Sequence, residues 1–294
     1  MSSKKYPAQT DLFGVEKNEK PTRLGKSSIS YREASSIVTK GAGFMESYDY
    51  TLNPYEGCSF GCTYCYAAFF ARSKEKQDNW GKWLTVKENA LALLNRKRTS
   101  TLHDKTIYMS SVTDPYQPVE RKLELTRDLL RLLGERFQPR LVIQTRSPLV
   151  TRDIDLLQKF KYVQVNMTVT TDSEEVRQAF EPTCPNNRVR LQAIKDVHNA
   201  GIDSCITLTP LLPVKDPVQL ADDLVATGVD NFIVQPFHAT KGRFVAGTRE
   251  QAMQMIEKYN WNQIRYEEVR HVLKRNIPDI GEGKQGFRPP WIQN

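Results

Sequence analysis

The chain has no apolar run near the roughly 20 residues that a membrane-crossing helix requires, so no membrane partner is expected. Its first residues, MSSKKYPAQTDLFG, carry no apolar signal core, and secretion is not expected either. Histidine is scarce, at four residues, and no H-x3-H pair or second C-x2-C pair accompanies the cysteines, which disfavours a zinc module. Cysteine numbers five, an odd count with three packed together, which argues against a disulfide framework and for a reducing cytoplasm. No solenoid-period repeat and no low-complexity block interrupts the chain.

What is present fits a folded α/β protein. A length of 294 residues allows one large domain or two small ones with a sizeable core. The formal charge of +8 favours anionic partners, DNA or RNA among them, although the densest basic run is only Arg96-Lys97-Arg98.

Residues 1–44 are polar and read as an N-terminal extension, with 1–25 disordered or loosely attached and 30–37 a short helix or an extended segment. Strands are expected at 48–52, 107–112, 140–145, 162–170, 202–208 and 231–235. Helices are expected at 67–73, 85–98, 120–134, 153–160, 188–200, 217–227, 248–259 and 261–274. Six strand-then-helix units predict parallel strands with right-handed crossovers, in a partial barrel or a doubly wound sheet. In both, chemistry sits at the C-terminal strand ends. The barrel unit is placed at 45–246 and a C-terminal helical segment at 247–294.

Residues 53–66, NPYEGCSFGCTYCY, dominate the chain. Cys58, Cys62 and Cys65 follow a C-x3-C-x2-C spacing, close enough to converge on one metal centre. Gly57 and Gly61 suit the tight loop this needs, because glycine tolerates backbone angles that other residues resist. Three thiolates leave a four-site centre one ligand short, as in a catalytic rather than a structural site.

This spacing, with Tyr64 before the last cysteine and a (β/α)6 pattern after it, resembles the radical S-adenosylmethionine (radical SAM) enzymes. The segments NPYEGC, YCYA, TDPYQPVE and LTPLLP resemble the spore photoproduct lyase-like branch. The resemblance implies a partial (β/α)6 barrel. It implies a [4Fe–4S] cluster on Cys58, Cys62 and Cys65, with S-adenosylmethionine on the fourth iron. An electron donor such as flavodoxin or ferredoxin would drive cleavage to a 5′-deoxyadenosyl radical that abstracts hydrogen from substrate. Cofactor contacts would come from Tyr64, from Ser111, Thr113 and Asp114, from Arg146 and Arg190 as carboxylate clamps, and from Asn166, Thr168 and Gln235. The branch's thiol donor near the second strand end has no counterpart in Met109-Ser110-Ser111, and Cys184 is the candidate hydrogen donor in its place. A nucleic acid or nucleotide is the implied substrate. A peptide or small metabolite is the alternative, and a non-catalytic zinc-holding nucleic-acid-binding protein is the alternative class.

Overall fold

The computed structural model describes residues 20–238 and 248–291. Of the disordered or loosely attached arm expected at 1–25, residues 1–19 lie outside the described residues. In chain order the strands are β1 (Arg23–Leu24), β2 (Ser27–Arg32), β3 (Val38–Lys40), β4 (Tyr50–Leu52), β5 (Tyr55–Gly57), β6 (Trp83–Lys87), β7 (Thr106–Met109), β8 (Arg140–Thr145), β9 (Tyr162–Thr168), β10 (Asp203–Leu208), β11 (Asn231–Val234) and β12 (Gly281–Glu282).

The six expected parallel strands are all present, in the order β4-β7-β8-β9-β10-β11. Antiparallel β3 flanks one side and parallel β12 the other, so the sheet is open, with eight strands. Side chains alternate across it. Leu141, Ile143, Val163, Val165, Met167, Ile206 and Leu208 face the helices, in one core with Leu129, Ile194, Val197 and Leu220. The opposite, inner face changes character along the strands. Near the strand starts Tyr108, Val142, Cys205 and Ile233 form an apolar layer with Tyr48, sealed by Phe287 from the C-terminal tail. Cys205 is thus a packed core thiol. Nearer the C-terminal ends the inner face turns polar, through Gln144, Asn166, Thr168 and Thr207. Gln144 Nε2 donates to Thr168 Oγ1 at 2.6 Å and Thr207 Oγ1 at 3.0 Å, while Tyr108 donates to Gln144 Oε1 at 2.7 Å.

Several local expectations are corrected. Arg23–Leu24, inside the arm expected at 1–25, is instead β1 of a second, four-stranded sheet ordered β1-β2-β6-β5, and β2 there gives the extended alternative for 30–37 over residues 30–32. The expected helix at 85–98 is instead β6 followed by the helix Ala90–Asn95. Four successive residues of β6, Trp83 to Val86, are buried, so no alternation of buried and exposed positions marks the strand. The expected helix at 120–134 breaks at Glu124, which has φ of +50°. The break has a cause: the Glu120 carboxylate accepts from Thr126 N at 2.9 Å and Arg127 N at 3.4 Å, capping the helix Leu125–Leu132. The helix Glu174–Phe180, capped by Ser173, was not expected. The helices Glu250–Lys258 and Gln263–Asn276 follow the expected C-terminal positions.

Candidate active site

The three-cysteine loop leaves β4, forms β5 in the second sheet, and turns back over the C-terminal ends of the main sheet. Two glycines shape it. Gly57 has φ of +78°, and a Cβ there would meet the Trp83 ring at 2.7 Å. Gly61 has φ of +59°, and its Cβ would meet Gly81 Cα at 2.9 Å. Neither position admits a side chain without displacing backbone or ring.

The loop is tied down from several elements. Thr113 Oγ1 donates to Gly57 O at 2.6 Å. Gln117 Oε1 accepts from Ser59 N at 3.0 Å and Ser59 Oγ at 3.2 Å. Thr183 Oγ1 donates to Ser59 O at 2.6 Å and Phe60 O at 2.7 Å, and Thr63 N donates to Phe180 O at 2.8 Å. Arg249, half-buried, donates through Nη1 to Cys62 O at 3.3 Å. Cys58 and Cys62 are buried and Cys65 half-buried, and all are free thiols. Burial first, then the Asp114 charge, pushes the Cys58 thiol up. Burial, reinforced by Cys62, pushes Cys65 up to about 11. Cys62 is moved down, chiefly by the hydrogen bond with the Cys184 thiol, against burial and with help from Arg146.

Beside the loop lies a buried charge cluster centred on Glu181, a residue the sequence reading passed over. Tyr64 OH donates to Glu181 Oε1, and Thr170 Oγ1 donates to the same oxygen at 3.1 Å. Arg190 Nη2 lies 2.6 Å from Glu181 Oε2, and Arg146 Nε lies 3.5 Å from Oε1. Arg146 Nη2 also donates to Tyr64 OH at 3.0 Å. Burial alone would raise the Glu181 carboxyl, but Arg190 and Arg146 outweigh it and hold it at about 2. Glu181 is therefore a carboxylate at neutral pH, as a buried anion between two guanidinium groups should be.

This geometry gives several expected site residues other partners. Arg190 spends its fork on the protein: Nε donates to Pro185 O at 2.8 Å and Nη1 to Thr168 O at 3.2 Å, while Nη2 meets Glu181. Each nitrogen of that fork faces a protein acceptor, and the side chain has no exposed surface. Asp114 is spent as well, accepting from Tyr116 N, Thr145 Oγ1 and Arg146 N, each at 2.8 Å. It braces the turn that presents Arg146. Ser111 accepts from Tyr66 OH at its carbonyl and from Asn53 Nδ2 at its Oγ, the latter at 3.4 Å. Cys184 turns its sulfur to Cys62, at 3.6 Å. Arg146 keeps 19% of its side chain exposed, and its Nη1 makes no hydrogen bond among the described residues. Asn166 accepts from Gln164 Nε2 at 2.7 Å, and Thr168 sits in the Gln144 network, both on the inner face. Gln235, half-buried just past β11, pairs by its backbone with Leu208 O and Leu211 N.

Ser110 was also missed. It follows β7 with φ of +72°, and its buried Oγ has no hydrogen-bond partner among the described residues. A strained backbone and an unpaired buried hydroxyl at a strand end are marks of a ligand position. Charge balance is the one signal in the sequence that could have pointed to Glu181. Two arginines at interior strand-helix junctions need a counterion, and Glu181 lies in the same short stretch as Cys184.

An open, mostly parallel sheet that carries a three-cysteine loop over its strand ends defines an α/β protein with three free thiols at the sheet mouth. The Radical SAM superfamily model matches residues 52–224, more than half of the chain, and the chain belongs to that superfamily. An uncharacterized protein of Methanocaldococcus jannaschii is 37% identical over 164 residues, covering 56% of this chain and 61% of that protein, less than two thirds of the relative's length. An uncharacterized protein of Acidianus two-tailed virus is 26% identical over 272 residues, 86% of this chain and 83% of the relative. Among solved structures, a spore photoproduct lyase mutant superposes with TM-score 0.61 at 14% identity, covering 91% of this chain and 87% of that one. Another lyase mutant, described with bound AdoMet and dinucleoside spore photoproduct, gives TM-score 0.58 at 14% identity over 91% of this chain and 87% of that chain. At that identity the shared property is the fold.

Proposed function

We propose that the protein is a radical SAM enzyme of the spore photoproduct lyase-like type. In this reading Cys58, Cys62 and Cys65 hold three irons of a [4Fe–4S] cluster, and S-adenosylmethionine occupies the fourth iron. The carrying observation is the three-thiol loop, fixed by Gly57 and Gly61 over the C-terminal ends of a parallel sheet. The donor set fits such a cluster. When bound, the pair would supply a one-electron reductive cleavage that yields a hydrogen-abstracting 5′-deoxyadenosyl radical.

The chain's own residues have separable tasks. Arg146 offers its free Nη1 to the methionyl carboxylate, held in place by Asp114 and Tyr64. The unpaired, buried Ser110 Oγ just after β7 is assigned as an acceptor for the methionyl amino group. Asn166, Thr168 and Gln235 are assigned to the adenosyl moiety. Glu181 and Arg190 position Tyr64 and Arg146 rather than touch the cofactor. Flavodoxin or ferredoxin is the class of electron donor this chemistry calls for. Five free thiols suit a reducing compartment, the cytoplasm. Among the described residues no helix is long and apolar enough to cross a membrane.

A nucleic acid or nucleotide is the proposed substrate class, supported by the net charge of +8 and by the fold shared with the lyase. Anaerobic reconstitution tests the cluster reading. About four irons and four acid-labile sulfides per chain are expected, with loss in Cys58→Ala; zinc without sulfide would overturn it. Binding of short DNA or RNA that weakens steeply with salt supports the substrate class, and salt-independent or absent binding favours a peptide or metabolite.

A further inference from the structure

The Cys62 and Cys184 sulfurs lie 3.6 Å apart, although 122 residues separate them in the chain. No other pair of cysteine sulfurs is in hydrogen-bonding contact among the described residues. Both thiols are buried, with 4% and 6% of their surfaces exposed. The contact is held from outside the two cysteines. Thr63 N, next to Cys62, donates to Phe180 O, and Thr183 Oγ1, next to Cys184, donates to Ser59 O and Phe60 O. Arg177 Nη1 donates to Cys184 O at 2.7 Å and Glu181 O at 2.9 Å, which fixes the far side of the pair. The two segments are thus locked together whether or not the sulfurs interact.

We propose that Cys62 and Cys184 form a reversible redox site of the cluster-free protein, closing as a disulfide on exposure to a peroxide. The inference rests on the reading of Cys62 as a cluster ligand. One thiol attacks the peroxide O–O bond, giving a sulfenic acid and one water; the second thiol displaces the hydroxyl as a second water. In total two thiols and one hydrogen peroxide give one disulfide and two waters, the sulfurs losing two electrons that the peroxide gains. A dithiol reductant reverses the step by exchange. The disulfide stops Cys62 short of sulfinic acid and bars cluster loading until reduction. A loaded cluster occupies Cys62 and leaves Cys184 without its partner, so the site responds only in the empty state.

The test uses full-length protein, half stripped of iron by chelation and half reconstituted, each treated anaerobically with stoichiometric hydrogen peroxide. Tryptic mapping with and without reductant reads the bond. The expected result is a Cys62–Cys184 cross-link in most stripped chains, none in the reconstituted sample, and recovery of two thiols per chain after reduction. Reconstitution after peroxide should fall several-fold in wild-type protein and be restored by reductant. Cys184→Ala should lose the cross-link and, given a second equivalent of peroxide, gain sulfinic acid at Cys62. The inference is overturned if stripped wild-type protein links Cys58, Cys62 and Cys65 among themselves, or leaves Cys184 free. The mapping needs no variant, so misfolding of Cys184→Ala does not affect it. Cluster assembly without the cross-link refutes this inference alone; a cross-link in protein that never takes up a cluster refutes the cluster reading alone.

Discussion

Arg190 Nη2 lies 2.6 Å from Glu181 Oε2, and neither side chain has exposed surface. Removing one partner of such a pair leaves an uncompensated buried charge, at a cost of about 3–5 kcal/mol. Glu181→Gln keeps the volume but strands Arg190 and Arg146, so urea unfolding should shift down by that order. The pH dependence has a definite sign. The folded carboxyl sits at about 2 against an ordinary value of 4.5, so its stabilisation is present above 4.5 and is lost as pH falls toward 2. Glu181→Gln should flatten that acid arm of the Tm profile. A variant as stable as wild type at pH 7 would contradict the assignment.

Glu120 behaves in the opposite sense. Burial raises its carboxyl to about 7, against hydrogen bonds from Tyr55 and Arg152. A raised carboxyl favours the folded state below the ordinary value of 4.5 and loses that advantage as pH rises through about 7. The displacement corresponds to at most about 3 kcal/mol. Wild-type Tm should therefore lose part of its height between those pH values, and Glu120→Gln should remove that loss while keeping an acceptor for Thr126 N. The comparison is made by calorimetry at fixed ionic strength. Parallel profiles for the two proteins would refute it.

The main sheet was legible because its six strands are short runs set off by helices with caps and glycine stops, each decided by local periodicity. β6 was not, because burial on both faces removed the alternation and left Val86 in step with a helical pattern. The break at Glu124 was hidden for a different reason: it depends on the carboxylate of Glu120 folding back onto Thr126 N, inside a segment of continuous helix formers. In the site, the three cysteines were readable from spacing alone. Glu181 was not, since its partners Tyr64, Arg146 and Arg190 come from three separate elements and meet only in the fold. The same holds for Arg190 and Asp114. Their residue types suit a cofactor, and only tertiary contacts show those groups already engaged.

Gly61 and Gly81 meet back to back, Gly61 Cα lying 2.7 Å from the position of a Cβ on Gly81. Gly61→Ala adds a left-handed strain of about 1 kcal/mol or more and pushes on the Gly81 backbone. Its iron content after reconstitution should fall to a small fraction of wild type. Gly25→Ala is the control: its φ is +56° but nothing lies within 4 Å of its Cβ, so it should lose some stability and keep its iron. Equal iron in both variants would show that the loop does not depend on that close approach.

In the proposed function, the three-cysteine loop and the strand ends beside it make a site for reductive cleavage of S-adenosylmethionine. The most direct measurement is the amount of 5′-deoxyadenosine formed by anaerobically reconstituted, dithionite-reduced protein supplied with S-adenosylmethionine, compared with Cys58→Ala prepared identically. Expected are 5′-deoxyadenosine and methionine in equal amounts from wild type, background from Cys58→Ala, and a reduced yield from Arg146→Met at low S-adenosylmethionine that recovers as its concentration rises. Wild-type protein carrying a full cluster yet forming no more 5′-deoxyadenosine than Cys58→Ala would contradict it.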